Sequence, residues 1–239
     1  VHTPIQAIPE VAAKYSNVPG KTKQNAKYAA MVESVDQSMR NIRESLEKWK
    51  LTDNTIVIFT SDNGGLDNQG EPTDNAPLRS GKGYAYEGGI RVPLIVSWPK
   101  QIPANTVSSA PVSSIDFFPT ILEACGIQAP TDRTIDGISL VSHLKSGGSL
   151  SLNRSDLVWH FPHYRHDPGP YSILRSGQWK LIKYWHGKQE LFQLDDDPTE
   201  SKDLAAVLPG LALEMDQRLV DKLTLDGAKL PRPNPKYVP

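Results

Sequence analysis

The residues best suited to chemistry lie in one stretch of about 29 residues without periodicity, from Ser61 to Gly89. It opens on Ser61-Asp62-Asn63-Gly64-Gly65, which follows an apolar run. Asp62 and Asn63 offer adjacent hard oxygens of the kind Ca²⁺ or Mg²⁺ takes, and the glycines let the backbone turn tightly. The same letters also read as a plain turn signal, and two oxygens do not make a site for an ion that wants six to eight. Further on, Gly81-Lys82-Gly83 holds a lysine between glycines, a poor place for packing and a good one for a mobile cation. Beside a metal, such a point charge suits an anionic oxyester. Glu87 and Arg91, four apart, read as a pair that fixes the loop. A second unusual stretch, Trp159 to His166, spaces three histidines by threes at His160, His163 and His166, with no carboxylate or Cys inside the stretch to complete a metal cluster.

The elements around these residues are legible from their periods. Tyr28, Met31, Val32, Val35, Met39, Ile42, Leu46 and Trp49 recur at threes and fours and predict one long helix from about 25 to 50. Thr55 to Thr60 is apolar and β-branched on both alternating faces, the pattern of a strand buried in a parallel sheet. A helix feeding such a strand through a short loop is an α/β signature. A second strand is expected over Val92 to Trp98, with Pro93 at its start or at a sheet edge. A helix is expected over Asp116 to Gly126, N-capped by Asp116 and closed by Gly126. A short helix should span Ser139 to Lys145, ending before Gly147-Gly148.

After that glycine pair come short aromatic strands: Leu157–Trp159, Tyr171–Leu174, Trp179–Tyr184 and Glu190–Leu194. Turns at 175–178 and 186–188 make them an antiparallel sheet. A helix from about Leu211 to Leu225, with Leu211, Met215, Leu219 and Leu223 on one face, should cover it. The tail from Pro231 to Pro239 reads as extended. The expected division falls near 147–152, giving domains 1–149 and 150–239.

The 239 residues carry 26 Lys and Arg against 27 Asp and Glu, a net charge of −1. That balance leaves no basic footprint for nucleic acid or an anionic membrane surface. No apolar run approaches the ~18 residues of a membrane span. One cysteine, Cys125, excludes an internally disulfide-stapled scaffold. Twenty prolines and 17 glycines mean that much of the chain is shaped loop. The opening Val1-His2-Thr3-Pro4 has no methionine and no signal-peptide pattern, and reads as a processed or truncated chain.

Taken in order, the motifs resemble the sulfatase family of the alkaline phosphatase superfamily. They are Phe59 to Gly65, Gly81-Lys82-Gly83 through Glu87-Gly88-Gly89-Ile90-Arg91-Val92-Pro93, Ser114 to Thr120, Leu122 to Gly126 and Asp136 to Leu140. Trp179 to Ile182, Glu190 to Phe192 and Asp197 to Glu200 are similar to that family's C-terminal subdomain. The resemblance implies part of an α/β sandwich with a small C-terminal antiparallel sheet packed on a helix. It implies cleavage of a sulfate ester, with Asp62 and Asn63 as two of the four side-chain ligands of a divalent metal, usually Ca²⁺. Lys82 is similar to the lysine that contacts sulfate oxygens, and His2 to the histidine that reaches the ester oxygen and could protonate the leaving group. His160 and His163 fall where relatives approach the substrate rim.

The family's nucleophile is a formylglycine made from Cys or Ser in a C-x-P-x-R setting. Cys125 is followed by Gly126-Ile127-Gln128-Ala129, and Ser97-Trp98-Pro99-Lys100-Gln101 lacks the Arg, so no nucleophile is found in this sequence. The expectation is the C-terminal portion of a sulfatase. Its partners would be a sulfated small molecule, aryl or sugar, and a missing N-terminal half that holds the formylglycine. Relatives are often exported, so a periplasmic or secreted setting is expected. Alternatives are a phosphate or phosphonate ester hydrolase of the same superfamily, and a non-catalytic carbohydrate-binding or structural module.

Overall fold

The computed structural model describes residues 1–17, 23–67, 73–164 and 169–236. By packing the chain divides into two units. One comprises Val1–Thr60, Leu66–Asp74 and Pro93–Ala104; the other comprises Ser61–Gly65, Asn75–Val92 and Asn105–Pro239.

In the first unit, helices α1 (Pro9–Ala13) and α2 (Lys23–Lys48) precede strand β1 (Val57–Thr60), and strand β2 (Leu94–Ser97) completes it. The 3.6-residue periodicity of α2 is realised as a single helix. Lys14 pairs with Glu33, and the Tyr15 hydroxyl donates to the same carboxylate at 2.8 Å, fastening α1 to α2. Ala26 and Ala30 are buried, yet much of the expected apolar stripe stays open, with Ile42 48% and Trp49 67% exposed.

The expected parallel strand is corrected: β1 pairs antiparallel with β2, Val57 facing Ser97 and Thr60 facing Leu94. An apolar run on both faces reports that two faces seek cover; it is commoner in parallel sheets but does not fix strand direction. Pro93 stands just before β2, where its missing N–H costs no ladder bond, and its carbonyl accepts from the Thr60 hydroxyl at 2.9 Å.

The second unit is built on a four-stranded antiparallel sheet in the order β3 (Asp156–Phe161), β4 (Tyr171–Ser176), β5 (Trp179–Tyr184), β6 (Gln189–Gln193). Before it come α3 (Glu87–Ile90), α4 (Phe117–Ala124) and α5 (Val141–Lys145); after it comes α6 (Pro209–Leu225). Neighbouring residues along each strand serve opposite faces. Leu174, Leu181 and Leu191 pack with Ala212, Met215, Leu219 and Leu223 of α6. Ile173, Ile182 and Phe192 pack on the other face with Ala85 and Tyr86 from the glycine-rich loop. The strands are therefore apolar at successive positions because the sheet is covered on both sides.

Asp116 stands at the N-cap position of α4, as expected, but its side chain makes no cap bond there. Its carboxylate turns back to accept the Ser113 N–H at 2.8 Å, accepts the Ile138 N–H at 3.0 Å, and pairs with Arg154. Asp116 is fully buried and ties three segments together. Gly126 does close α4, at φ +67, with the Ile127 N–H returning to the Leu122 carbonyl at 2.8 Å. The tail is described only to Lys236.

Candidate active site

Asp62 and Asn63 follow directly on β1, the Ser61 hydroxyl donating to the Asn63 carbonyl at 2.9 Å. Asp62 is exposed and Asn63 half-buried. The next two residues stitch this segment to the lysine loop. The Gly64 N–H donates to the Gly89 carbonyl at 3.0 Å, and the Lys82 N–H donates to the Gly65 carbonyl at 2.9 Å. Asn75 bridges them: its amide nitrogen donates to Gly65 and Ser80 carbonyls at 2.9 and 3.0 Å, and its oxygen accepts the Gly65 N–H at 3.1 Å.

This approach requires glycine. A Cβ on Gly64 would lie 1.7 Å from the Gly88 carbonyl oxygen, and one on Gly88 would lie 2.1 Å from that of Ser80. Two motifs some twenty residues apart in sequence are thus one backbone cluster. A carboxylate, an amide and a lysine project from loops that share hydrogen bonds.

Behind this cluster lies a buried polar layer. The expected Glu87–Arg91 pair is corrected: Glu87 Oε1 receives Lys180 Nζ at 2.9 Å, and Arg175 stands 3.8 Å from its other oxygen, while Arg91 is exposed. Arg91 meets Glu87 only through the backbone, its N–H donating to the Glu87 carbonyl at 2.8 Å. Alongside, the Tyr86 and Tyr184 hydroxyls donate to Glu190 Oε2 at 2.8 and 3.1 Å, and Lys188 pairs with the other oxygen at 2.7 Å. Burial above all pushes both phenols above their ordinary range, so they stay protonated donors. The Lys180 partner of Glu87 and the Glu190 partner of Tyr86 lie 93 and 104 residues away and are not announced by local spacing; Gly88-Gly89 only marks a close approach.

The histidines are dispersed. His2 is exposed, its Nδ1–H donating to the Thr3 carbonyl at 2.7 Å, which makes Nε2 the basic nitrogen. It belongs to the first unit, whereas Asp62, Asn63 and Lys82 belong to the second. His160 lies on β3 with both nitrogens engaged: Nε2–H donates to the Lys229 carbonyl at 3.0 Å and Nδ1 accepts the Ser172 hydroxyl at 2.7 Å. A substrate reaching His160 must displace one of those groups. His163 is exposed and meets Phe161 edge-on, ring centroids 5.2 Å apart. His166 lies outside the described residues. Among the described residues no three His, Cys, Asp or Glu side chains gather at metal-binding distance. Cys125 is exposed at the end of α4.

The fold and the loop cluster together define an α/β chain that presents hard-oxygen donors and a cation on one backbone-stitched loop system. The sulfatase family model matches residues 1–127, and the model of the N-sulphoglucosamine sulphohydrolase C-terminal region matches residues 80–224. The chain belongs to the sulfatase family. It is 35% identical over 252 residues to a sulfatase of Formosa agariphila, covering 92% of this chain and 44% of that protein. It is 39% identical over 130 residues to the N-acetylgalactosamine-6-sulfatase of Canis lupus familiaris, covering 53% of this chain and 24% of that one. A solved structure described as Ps i-CgsB in complex with k-i-k-neocarrahexaose superposes with a TM-score of 0.81 at 31% identity. That match covers 92% of this chain and 47% of the other. The chain therefore spans about half, or less, of the length of these relatives.

Proposed function

We propose that this chain is the C-terminal part of a metal-dependent sulfuric ester hydrolase acting on a sulfated sugar. The observation that carries the reading is the backbone union of Asn63-Gly64-Gly65 with Gly81-Lys82-Gly83, which puts Asp62, Asn63 and Lys82 on one loop system. The Asp62 carboxylate and Asn63 amide oxygen are a hard-oxygen pair and fit a Ca²⁺ or Mg²⁺ site as two of its donors, the rest coming from elsewhere. A divalent ion held there supplies positive charge to a sulfate oxygen.

Lys82, between glycines and anchored through its own N–H, brings an ammonium to the oxygen charge that grows as the ester breaks. His2 would hold a proton at Nε2 for the departing ester oxygen, and His163 would touch the sugar rim. The nucleophile, a formylglycine in this reading, belongs to sequence outside this chain. The sugar assignment is supported by the amino-sugar and carrahexaose names of the relatives. The division at residue 149 belongs to the same reading, since β3 to β6 and α6 all lie beyond it.

The test is turnover of an aryl sulfate and of the matching phosphate monoester by the longer protein containing this chain, in wild type and in Lys82→Ala and Asp62→Ala. Sulfate turnover lost in both variants, with Asp62→Ala also losing Ca²⁺ binding, supports the reading. Wild-type rates in Lys82→Ala overturn the sulfate contact, and faster phosphate turnover moves the enzyme to the phosphoryl class.

A further inference from the structure

We infer that Lys180 and Glu200, on and beyond the antiparallel sheet, are positioning residues for the Lys82 loop, acting through Glu87 and Arg79. The inference rests on the sulfatase reading only for the chemistry the loop serves; the positioning itself is a matter of geometry. Lys82 lies between two anchors in sequence. Before it, Arg79 Nη1 donates to the Glu200 carbonyl at 2.7 Å. After it, the Glu87 N–H donates to Glu200 Oε2 at 2.6 Å, and the Glu87 carboxylate meets Lys180 at 2.9 Å. Lys180 Nζ also stands 2.7 Å from Glu200 Oε1. The two flanks of the loop therefore converge on one ammonium and one glutamate.

The charges explain why these groups hold a single arrangement. Lys180 and Glu200 are 0% exposed and Glu87 is 2%. Arg175 and Lys180 are direct cross-strand partners, a like-charged pair that is unfavourable alone. Glu87 sits against both, with Arg175 at 3.8 Å, so the loop supplies an anion to that pair. A buried ion cluster adds little net stability, because desolvation offsets the attraction, but removing one member strands a charge in the interior. Its effect is geometric: the loop has one seat in which both buried carboxylates meet the Lys180 ammonium. Glu200 occupies its place at φ +51, where the turn after Asp197 holds it. The sheet does not depend on this cluster for its other cover, since its opposite face is packed by α6.

The test uses native-state hydrogen exchange on this chain. The amides of Gly64, Lys82 and Gly88 donate to Gly89, Gly65 and Arg79 carbonyls and report directly on the loop. Glu200→Gln keeps the side-chain shape and removes one charge; Lys180→Met removes the ammonium. Lys183→Ala is the control, breaking the half-buried Lys183–Asp216 pair between the sheet and α6. Exchange at the three loop amides is expected to rise about tenfold or more in Glu200→Gln beyond the rise in the control, once both are referred to their global stability. A rise no larger than in Lys183→Ala overturns the proposal. Should Lys180→Met not fold, Glu200→Gln alone decides. In the longer protein the same variant should lower kcat for an aryl sulfate more than it raises KM. If loop exchange responds while Lys82→Ala leaves turnover intact, the positioning stands and the sulfate-contact role of Lys82 falls.

Discussion

Gly64 shows how a single residue type can hold a site together. Its hydrogen-bonded approach to Gly88-Gly89 leaves no room for a side chain, and the opposing atom is a backbone carbonyl that cannot rotate away. Gly64→Ala is expected to cost about 2–3 kcal/mol or more, read as a drop in urea midpoint. Lys82 is the opposite case. Its backbone N–H makes the structural bond and its side chain carries the chemistry, so Lys82→Ala should change stability by less than about 1 kcal/mol while cutting turnover by about 10²-fold. Asp197 sets an acid limit. Burial pushes its carboxyl up, but the N–H groups of Ser201 and Lys202 and the hydroxyls of Thr199 and Ser201 outweigh this and hold it at about 2. A depressed carboxyl contributes stability above its unfolded value near ~3.9 and loses it as pH falls through the folded value. Unfolding followed by circular dichroism should show stability falling between pH 4 and 2, less steeply in Asp197→Asn.

Elements differ in how completely they are covered. The sheet of the second unit is packed on both faces, and α6 contributes Met215 and Leu219, both essentially inaccessible. Leu219→Ala should cost about 2–5 kcal/mol by lost transfer energy and cavity formation. Helix α2 carries an equally regular apolar stripe that remains half open. Ile42→Ala there should change the unfolding free energy by no more than about 0.5 kcal/mol. Periodicity says which face of a helix is apolar; whether the face is covered depends on what packs against it. The same limit applies to β1, whose composition was read as a parallel strand and whose register with β2 is antiparallel.

For the whole molecule, the chain spans 44% of the Formosa sulfatase it matches and contains no C-x-P-x-R segment. Purified as it stands, it should show no turnover of an aryl sulfate with or without added Ca²⁺. Turnover that disappears in Asp62→Ala would sink the proposal that the nucleophile comes from elsewhere. By itself the sequence determined what local periods and local chemistry encode. That covers the four strands and α6, with β5 at the expected residues 179–184, the closure of α4 at Gly126, and the motifs around Asp62 and Lys82. Tertiary structure alone decided the partner of Glu87, which lies 93 residues away at Lys180 rather than four away at Arg91. It also turned the Asp116 carboxylate from a cap bond to a buried junction, while the residue keeps its place at the start of α4. The reason is physical: a helix or turn is fixed by bonds between near neighbours. A buried charge instead takes whichever counter-charge the packed sheet brings within about 3 Å, and no spacing in the sequence records that choice.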